Sequence, residues 1–363
     1  MLRVREQIAG IVPYKPGKPI SELKRELGVE RVIKLASNEN PLGPSPMAVA
    51  ALRESLKHSE LHRYPDGGGF YLKQALAARW GVSADHFILG NGSNEVIELL
   101  CRTFLAPGEE VIAADLTFVV YRLITTAAGG RIREIPLRDN VHDLRAMAEA
   151  VGPDSRLLFV CNPNNPTGTS NSRAQVEDLL RRIPDDLIVV FDEAYAEYAT
   201  SDDYPDTLAV LRERPNTVIL RTFSKVYGLP ALRIGYGVTS PELVDYMNRV
   251  RQPFNVNDMA QTAALAALGD DAHVTASLRA NAAGKKTLYA LFARLGLEYL
   301  PTEANFVYVN VGMDGAKIFQ ECLREGVILR HIHGDWIRVT IGTADELDVF
   351  SQVFQGALAR LGA

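Results

Sequence analysis

The chain has 363 residues, 47% hydrophobic and 23% charged, the balance of an ordinary globular protein with ample core. Lys and Arg number 39 against 44 Asp and Glu, a formal net charge of −5, so no positive excess is available to neutralise a nucleic-acid backbone. Three cysteines, Cys101, Cys161 and Cys322, are too sparse for a disulfide framework and predict a reducing compartment, the cytoplasm. The first residues lack the apolar run of a signal peptide, and no stretch of about eighteen apolar residues offers a membrane span.

In chain order, the first 45 residues are rich in proline and glycine, with one helical stretch over 21–27. A short apolar run at 87–89 leads through Gly90-Asn91-Gly92-Ser93-Asn94-Glu95 into a helical stretch over 96–104. β-branched apolar runs then recur at 110–114, 132–137, 157–161, 187–191, 218–221 and 234–238, mostly separated by amphipathic segments such as 173–182. Such alternation predicts an α/β fold with a mainly parallel sheet covered on both faces. The last hundred or so residues alternate Ala/Leu-rich helices with two short strands, 306–309 and 336–341. The expected organisation is a large domain over 46–255 and a smaller α+β domain built from 1–45 and 256–363.

In parallel sheets ligands bind beyond the carboxyl ends of the strands, and the residues there are unusually polar. Asn162-Pro163-Asn164-Asn165-Pro166-Thr167-Gly168 follows one run, Asp192-Glu193-Ala194-Tyr195 the next, and Thr222-Phe223-Ser224-Lys225 the third. A lysine at such a place can lose its charge by desolvation, as a Schiff-base nucleophile must, and two hydroxyls with Arg233 suit a phosphate; the alternative is a solvated loop lysine. Asp192 ends an apolar strand, where a carboxylate is costly to bury without a partner such as a protonated pyridine nitrogen; the alternative is a cap on a helix starting near Glu193. Gly92-Ser93-Asn94 opens a helix and suits an anion, although the segment also imitates a dinucleotide fingerprint that lacks its third glycine. Arg338, among apolar neighbours on a strand, needs an anion, either a ligand's or a structural carboxylate, and Arg330 is a second candidate for it. His331 and His333 form a His-x-His pair with no third ligand nearby, so no metal site is expected.

The order and spacing of these segments are more specific than any one of them. They are joined by Val12-Pro13-Tyr14, Ser37-Asn38-Glu39-Asn40-Pro41-Leu42-Gly43-Pro44-Ser45-Pro46, Arg63-Tyr64-Pro65 and Arg338-Val339-Thr340. Together they resemble the fold-type I pyridoxal-phosphate-dependent aminotransferases and, within their class II subgroup, the histidinol-phosphate aminotransferase family, over nearly the whole chain. The resemblance implies that Lys225 binds pyridoxal 5'-phosphate covalently, Asp192 pairs with its ring nitrogen, and Asn165 and Tyr195 hold its phenolic oxygen. It further implies that Phe118 stacks on the ring and that Gly92, Ser93, Asn94, Thr222, Ser224 and Arg233 hold the phosphate. Tyr64 would reach that phosphate from the second subunit of a homodimer, and Tyr14, Asn165, Arg330 and Arg338 would bind substrate.

Two departures stand out, Leu116 where the family often has proline and Asn94 where many members have aspartate. The implied reaction converts L-histidinol phosphate and 2-oxoglutarate to imidazole acetol phosphate and L-glutamate. Rival readings on the same scaffold are an aromatic amino-acid aminotransferase and a threonine-phosphate decarboxylase. A ligand-sensing transcription regulator is a rival of another class, and the chain offers no basic recognition segment for it.

Overall fold

A computed structural model describes residues 3–13, 20–29, 31–58 and 60–362. Its largest element is a seven-stranded sheet in the order Phe87–Gly90, Gly235–Val238, Thr217–Thr222, Ile188–Asp192, Ser155–Cys161, Glu110–Ala114, Arg131–Ile135. The last five of these run parallel. Gly235–Val238 runs antiparallel to both its neighbours, a direction that an apolar run in the sequence does not reveal.

The central strands Ile188–Asp192 and Glu110–Ala114 are buried at every position, as a sheet covered on both faces requires. Their side chains alternate between two cores. Val111, Ala113, Leu157, Phe159, Val190 and Val218 join one cluster, while Ile112, Leu158, Val160, Val189 and Phe191 join the other. The crossover helix Arg173–Arg182 matches its sequence expectation residue for residue, because Ser172 and Gln175 form a reciprocal capping box at its start.

Near the carboxyl end of the chain lies a four-stranded antiparallel sheet, Arg330–His333, Trp336–Thr340, Phe306–Asn310 and Tyr299–Leu300. A parallel pair, Ile33–Lys34 with Val327–Ile328, ties the amino-terminal segment to it. Two strands were expected in this region, but the additional ones are only two to four residues long and carry little periodicity. Arg330 opens the strand Arg330–His333.

Apolar packing also runs across position 255. Helix Asp258–Leu268 contributes Ala260, Ala263, Ala264 and Ala267 to the cluster that holds Ala48, Leu72 and Phe87. The long helix Asp271–Arg294 packs Val274 and Leu278 on that cluster, and Leu288, Leu291 and Phe292 on the one holding Ile33 and Leu35. No helix among the described residues is long and apolar enough to cross a membrane, and the three cysteines are free and buried.

Gly228, three residues beyond Lys225, has φ +68, and a Cβ there would lie 2.0 Å from the carbonyl oxygen of Gly43. No flexible side chain can yield at that contact. Gly228→Ala should cost at least about 2 kcal/mol from left-handed strain and overpacking. In a chain of this size that lowers Tm by roughly 3 °C or more in scanning calorimetry, and an unchanged Tm would refute the close approach.

Candidate active site

Three strand ends deliver the chemistry to one rim. Asp192 is the last residue of Ile188–Asp192 and sits in register beside Cys161, and Thr222 ends the next strand, with Lys225 three residues on. Asp192 is 3% exposed. Its Oδ2 accepts from the Tyr121 hydroxyl at 2.7 Å and its Oδ1 from the Ala194 N–H at 3.2 Å. The following 3-10 turn, Ala196–Tyr198, has Tyr195 at its N-cap position, so Asp192 is not a helix cap. Burial pushes the Asp192 carboxyl above the usual range, while the Tyr121 hydrogen bond and Lys225 pull it back. Among the described residues it has no ion pair, so the site holds a buried carboxylate suited to a cationic partner.

Lys225 is half-buried, and its Nζ donates to the carbonyls of Ser37 and Asn38, both at 3.3 Å. The ammonium lies 5.5 Å from the centre of the Tyr195 ring. Desolvation, then the nearby Arg338 guanidinium, pushes the lysine down to about 7, against the pull of Glu39 and Asp192. A substantial share of the amine is thus uncharged near neutrality, as a nucleophile must be. Tyr195 is buried, and its hydroxyl accepts from Asn38 Nδ2 at 2.8 Å. Burial pushes that phenol up to about 12, so it keeps its proton and can donate it in a hydrogen bond.

Asn165 stands in the loop after Ser155–Cys161, where its Oδ1 accepts from Arg338 Nη1. Neighbouring Asn164 donates to the Leu116 carbonyl at 3.0 Å and accepts from Thr117 at 2.8 Å, binding this loop to the one that carries Phe118. Phe118 lies edge-on to Tyr121 with ring centres 5.6 Å apart, so it belongs to the same pocket wall as Asp192's partner. At the departure Leu116, the backbone N–H donates to Asp115 Oδ1 at 2.6 Å, a bond that proline cannot make.

A cradle for an anion forms beside these groups. Helix Ser93–Phe104 begins after Gly92, which gives it no side-chain cap; the Glu95 N–H donates to the Gly92 carbonyl at 3.2 Å, and the Ser93 and Asn94 N–H groups remain open to a ligand. Gly92 has φ +76, and a Cβ there would meet Arg233 Nη2 at 2.6 Å, which places the guanidinium against the helix start. Thr222 lies opposite Gly235, and Gly235 opposite Gly90, so this rim is continuous across three strands. Thr222 and Ser224 are buried, Ser224 N–H donating to Thr222 Oγ1 at 3.1 Å, while Asn94 is half-buried in the helix's first turn.

Arg338 is buried in strand Trp336–Thr340, donates to the Ala36 carbonyl at 2.6 Å and lies over the Phe306 ring at 5.2 Å. Arg330 is its directly opposed partner on the next antiparallel strand, so both side chains leave the same face of the sheet. Tyr64 is 80% exposed and stacks on Phe254 at 4.6 Å, on the surface. Tyr14 lies outside the described residues. A register irregularity falls between His331 and His333, whose rings contact the Gly334 carbonyl and the Tyr308 hydroxyl respectively. Among the described residues, no three potential metal-ligating side chains come together.

Sequence reasoning missed Asn38 and Tyr121. Asn38 has φ +54, accepts from Thr340 Oγ1 at 3.0 Å, and binds Tyr195 through its amide. A signal existed for Tyr121, an aromatic three residues beyond Phe118 at a helix start, but nothing in the sequence joins it to Asp192, 71 positions away.

A family model described as "Aminotransferase class I and II" matches residues 30–354. Histidinol-phosphate aminotransferase of Moorella thermoacetica is 51% identical over 98% of this chain and 93% of its own length. The enzyme of that name from Halalkalibacterium halodurans is 45% identical over 96% of this chain and 95% of its own. Among solved structures, histidinol-phosphate aminotransferase from Sinorhizobium meliloti in complex with pyridoxal-5'-phosphate superposes with a TM-score of 0.91 at 27% identity, covering 99% of each chain.

The lowered basicity of Lys225 has a direct readout. Reductive methylation of the cofactor-free protein at limiting formaldehyde, mapped by peptide mass spectrometry, should label Lys225 with a half-maximal pH of about 7. Exposed lysines should follow near ~10.4, their ordinary value. Labelling of Lys225 that rose only with the exposed lysines would show a charged amine at neutrality.

Proposed function

The chain belongs to the class I and II aminotransferases, and we propose that it transfers the amino group of L-histidinol phosphate to 2-oxoglutarate in histidine biosynthesis, giving imidazole acetol phosphate and L-glutamate. The cofactor in this reading is pyridoxal 5'-phosphate. The observation that carries it is the convergence of a half-buried lysine of lowered basicity, a buried carboxylate without an ion pair, and an uncapped helix N-terminus on one rim. Amine, anion and open N–H groups are the complements of an aldehyde, a pyridinium and a phosphate.

Lys225 would hold the cofactor covalently and Asp192 its ring nitrogen. Phe118 would cover the ring, and Gly92, Ser93, Asn94, Thr222, Ser224 and Arg233 would hold its phosphate, joined by Tyr64 from a second copy of the chain in a homodimer. Asn165 and Tyr195 both suit an oxyanion. Asn165 spends its oxygen on Arg338 and Tyr195 accepts from Asn38, which leaves an amide N–H and a phenol proton to donate.

When bound, the cofactor supplies the aldehyde that takes up an amine and the conjugated ring that receives the electrons of the broken Cα–H bond. The protein's own part is proton transfer and grip. Lys225, its basicity lowered by burial, would take the proton from the substrate α-carbon. Arg338 and Arg330, with Tyr14, would bind the donor's phosphate in one half-reaction and a carboxylate of glutamate in the other. The three free, buried thiols accord with the cytoplasm as the place of action.

Lys225→Ala should abolish turnover and leave cofactor that borohydride cannot fix to the protein, whereas reduction of wild type should place the label on Lys225. A label on another lysine would overturn the site.

For the substrate, kcat/KM is measured for histidinol phosphate, histidinol, phenylalanine and tyrosine with 2-oxoglutarate saturating. Hydrogen bonds to a charged group are worth roughly 1.5–3 kcal/mol each, so removing the phosphate should lower kcat/KM at least about tenfold. Histidinol phosphate is expected to lead. If phenylalanine or tyrosine leads instead, the enzyme is an aromatic amino-acid aminotransferase on the same cofactor site.

A further inference from the structure

We propose that Tyr121 is a positioning residue for the cofactor, its hydroxyl holding one oxygen of Asp192 so that the carboxylate stays fixed and ionised against the ring nitrogen. This rests on the reading of Asp192 given above and assigns the group behind it. The Tyr121 hydroxyl lies 2.7 Å from Asp192 Oδ2, and the only other hydrogen bond to that carboxylate, among the described residues, comes from the Ala194 backbone.

The phenol is rigidly placed. Tyr121 is 1% exposed, stacks on Phe159 with ring centres 4.5 Å apart and 14° between planes, and has Phe118 edge-on against it. It belongs to the core cluster of Val190 and Phe159, the face of the sheet to which Asp192, two residues after Val190, also points. Little but the hydroxyl proton can adjust.

Chemistry favours the donor role for this hydroxyl. Burial and the adjacent Asp192 push the phenol well above its ordinary value, so it remains protonated and donates to the carboxylate. Burial pushes Asp192 the other way, towards the neutral acid, and the Tyr121 hydrogen bond is the first influence opposing that. A neutral Asp192 would no longer present an anion to a pyridinium. The buried Cys161 thiol neighbours both groups but stays protonated, since burial raises it to about 12. Tyr121 therefore acts on the cofactor through Asp192, without touching it.

The test uses purified protein freed of cofactor and titrated with pyridoxal phosphate carrying nitrogen-15 in the ring. Wild type is expected to bind it with a ring-nitrogen resonance in the pyridinium range. Y121F keeps the ring packing and loses one oxygen; it should bind at least about tenfold more weakly, the worth of one hydrogen bond to a charged group. Its resonance should move towards neutral pyridine, while the Tm of the cofactor-free protein stays close to wild type. Y121L, which also removes the stacking, separates packing from hydrogen bonding. If Y121F keeps wild-type affinity and resonance while Y121L loses affinity, Tyr121 is a packing residue and the proposal fails. Wild-type protein that takes up no pyridoxal phosphate would overturn the cofactor reading itself, a distinct outcome.

Discussion

The site depends on two groups removed from water at one edge of the sheet, the Asp192 carboxylate and the Lys225 amine. Each is pushed by burial towards its neutral form, Asp192 upwards and Lys225 downwards. They sit close enough to act on one another, yet neither is the other's hydrogen-bond partner: Asp192 is held by Tyr121 and Ala194, Lys225 by two carbonyls of the amino-terminal strap. A direct ion pair between them would have quenched both. Keeping them apart preserves a nucleophile and an anion for a ligand that needs both.

The surrounding structure serves that separation. Asn38 is held by Thr340 and Asn305, and it supplies the carbonyl under Lys225 and the amide on Tyr195. Behind the rim, Arg221 lies between Glu193 at 3.1 Å and Glu197 at 3.0 Å, with its guanidinium over Trp80. A buried charge cluster of this kind is weak evidence for stability. What it does here is fasten the turn after Asp192 to the end of strand Thr217–Thr222, and so fix the two strand ends relative to each other.

Much of this was legible in the sequence, for reasons that differ by element. Strand cores such as Glu110–Ala114 declared themselves as short apolar runs, and helix Arg173–Arg182 as an amphipathic segment. The direction of Gly235–Val238 did not, since parallel and antiparallel runs share a composition. Lys225, Asp192 and Tyr195 were singled out because polar residues directly after apolar strands must lie on the carboxyl rim. Their supports escaped because Tyr121 and Asn38 reach their partners across 71 and 157 positions, a relation only the packed sheet creates. The short strands around Arg330 fall below the length at which periodicity carries information.

Arg338 shows why the two halves of the proposed site cannot be treated as independent. It is paired in register with Arg330 on the adjacent antiparallel strand, so both side chains leave one face of the sheet. Its guanidinium donates to Asn165 Oδ1. An amide that spends its oxygen on a cation must turn its N–H2 the other way, so Arg338 sets the polarity with which Asn165 meets whatever lies in the cleft. It also favours ionisation of the Tyr195 phenol and opposes the charge on Lys225. A residue assigned to the substrate anion therefore reaches, through a hydrogen bond and through its field, each group assigned to the cofactor's reactive end. An anion that neutralises Arg338 would weaken its field at Lys225 and make that amine more basic, at the stage when it must accept a proton.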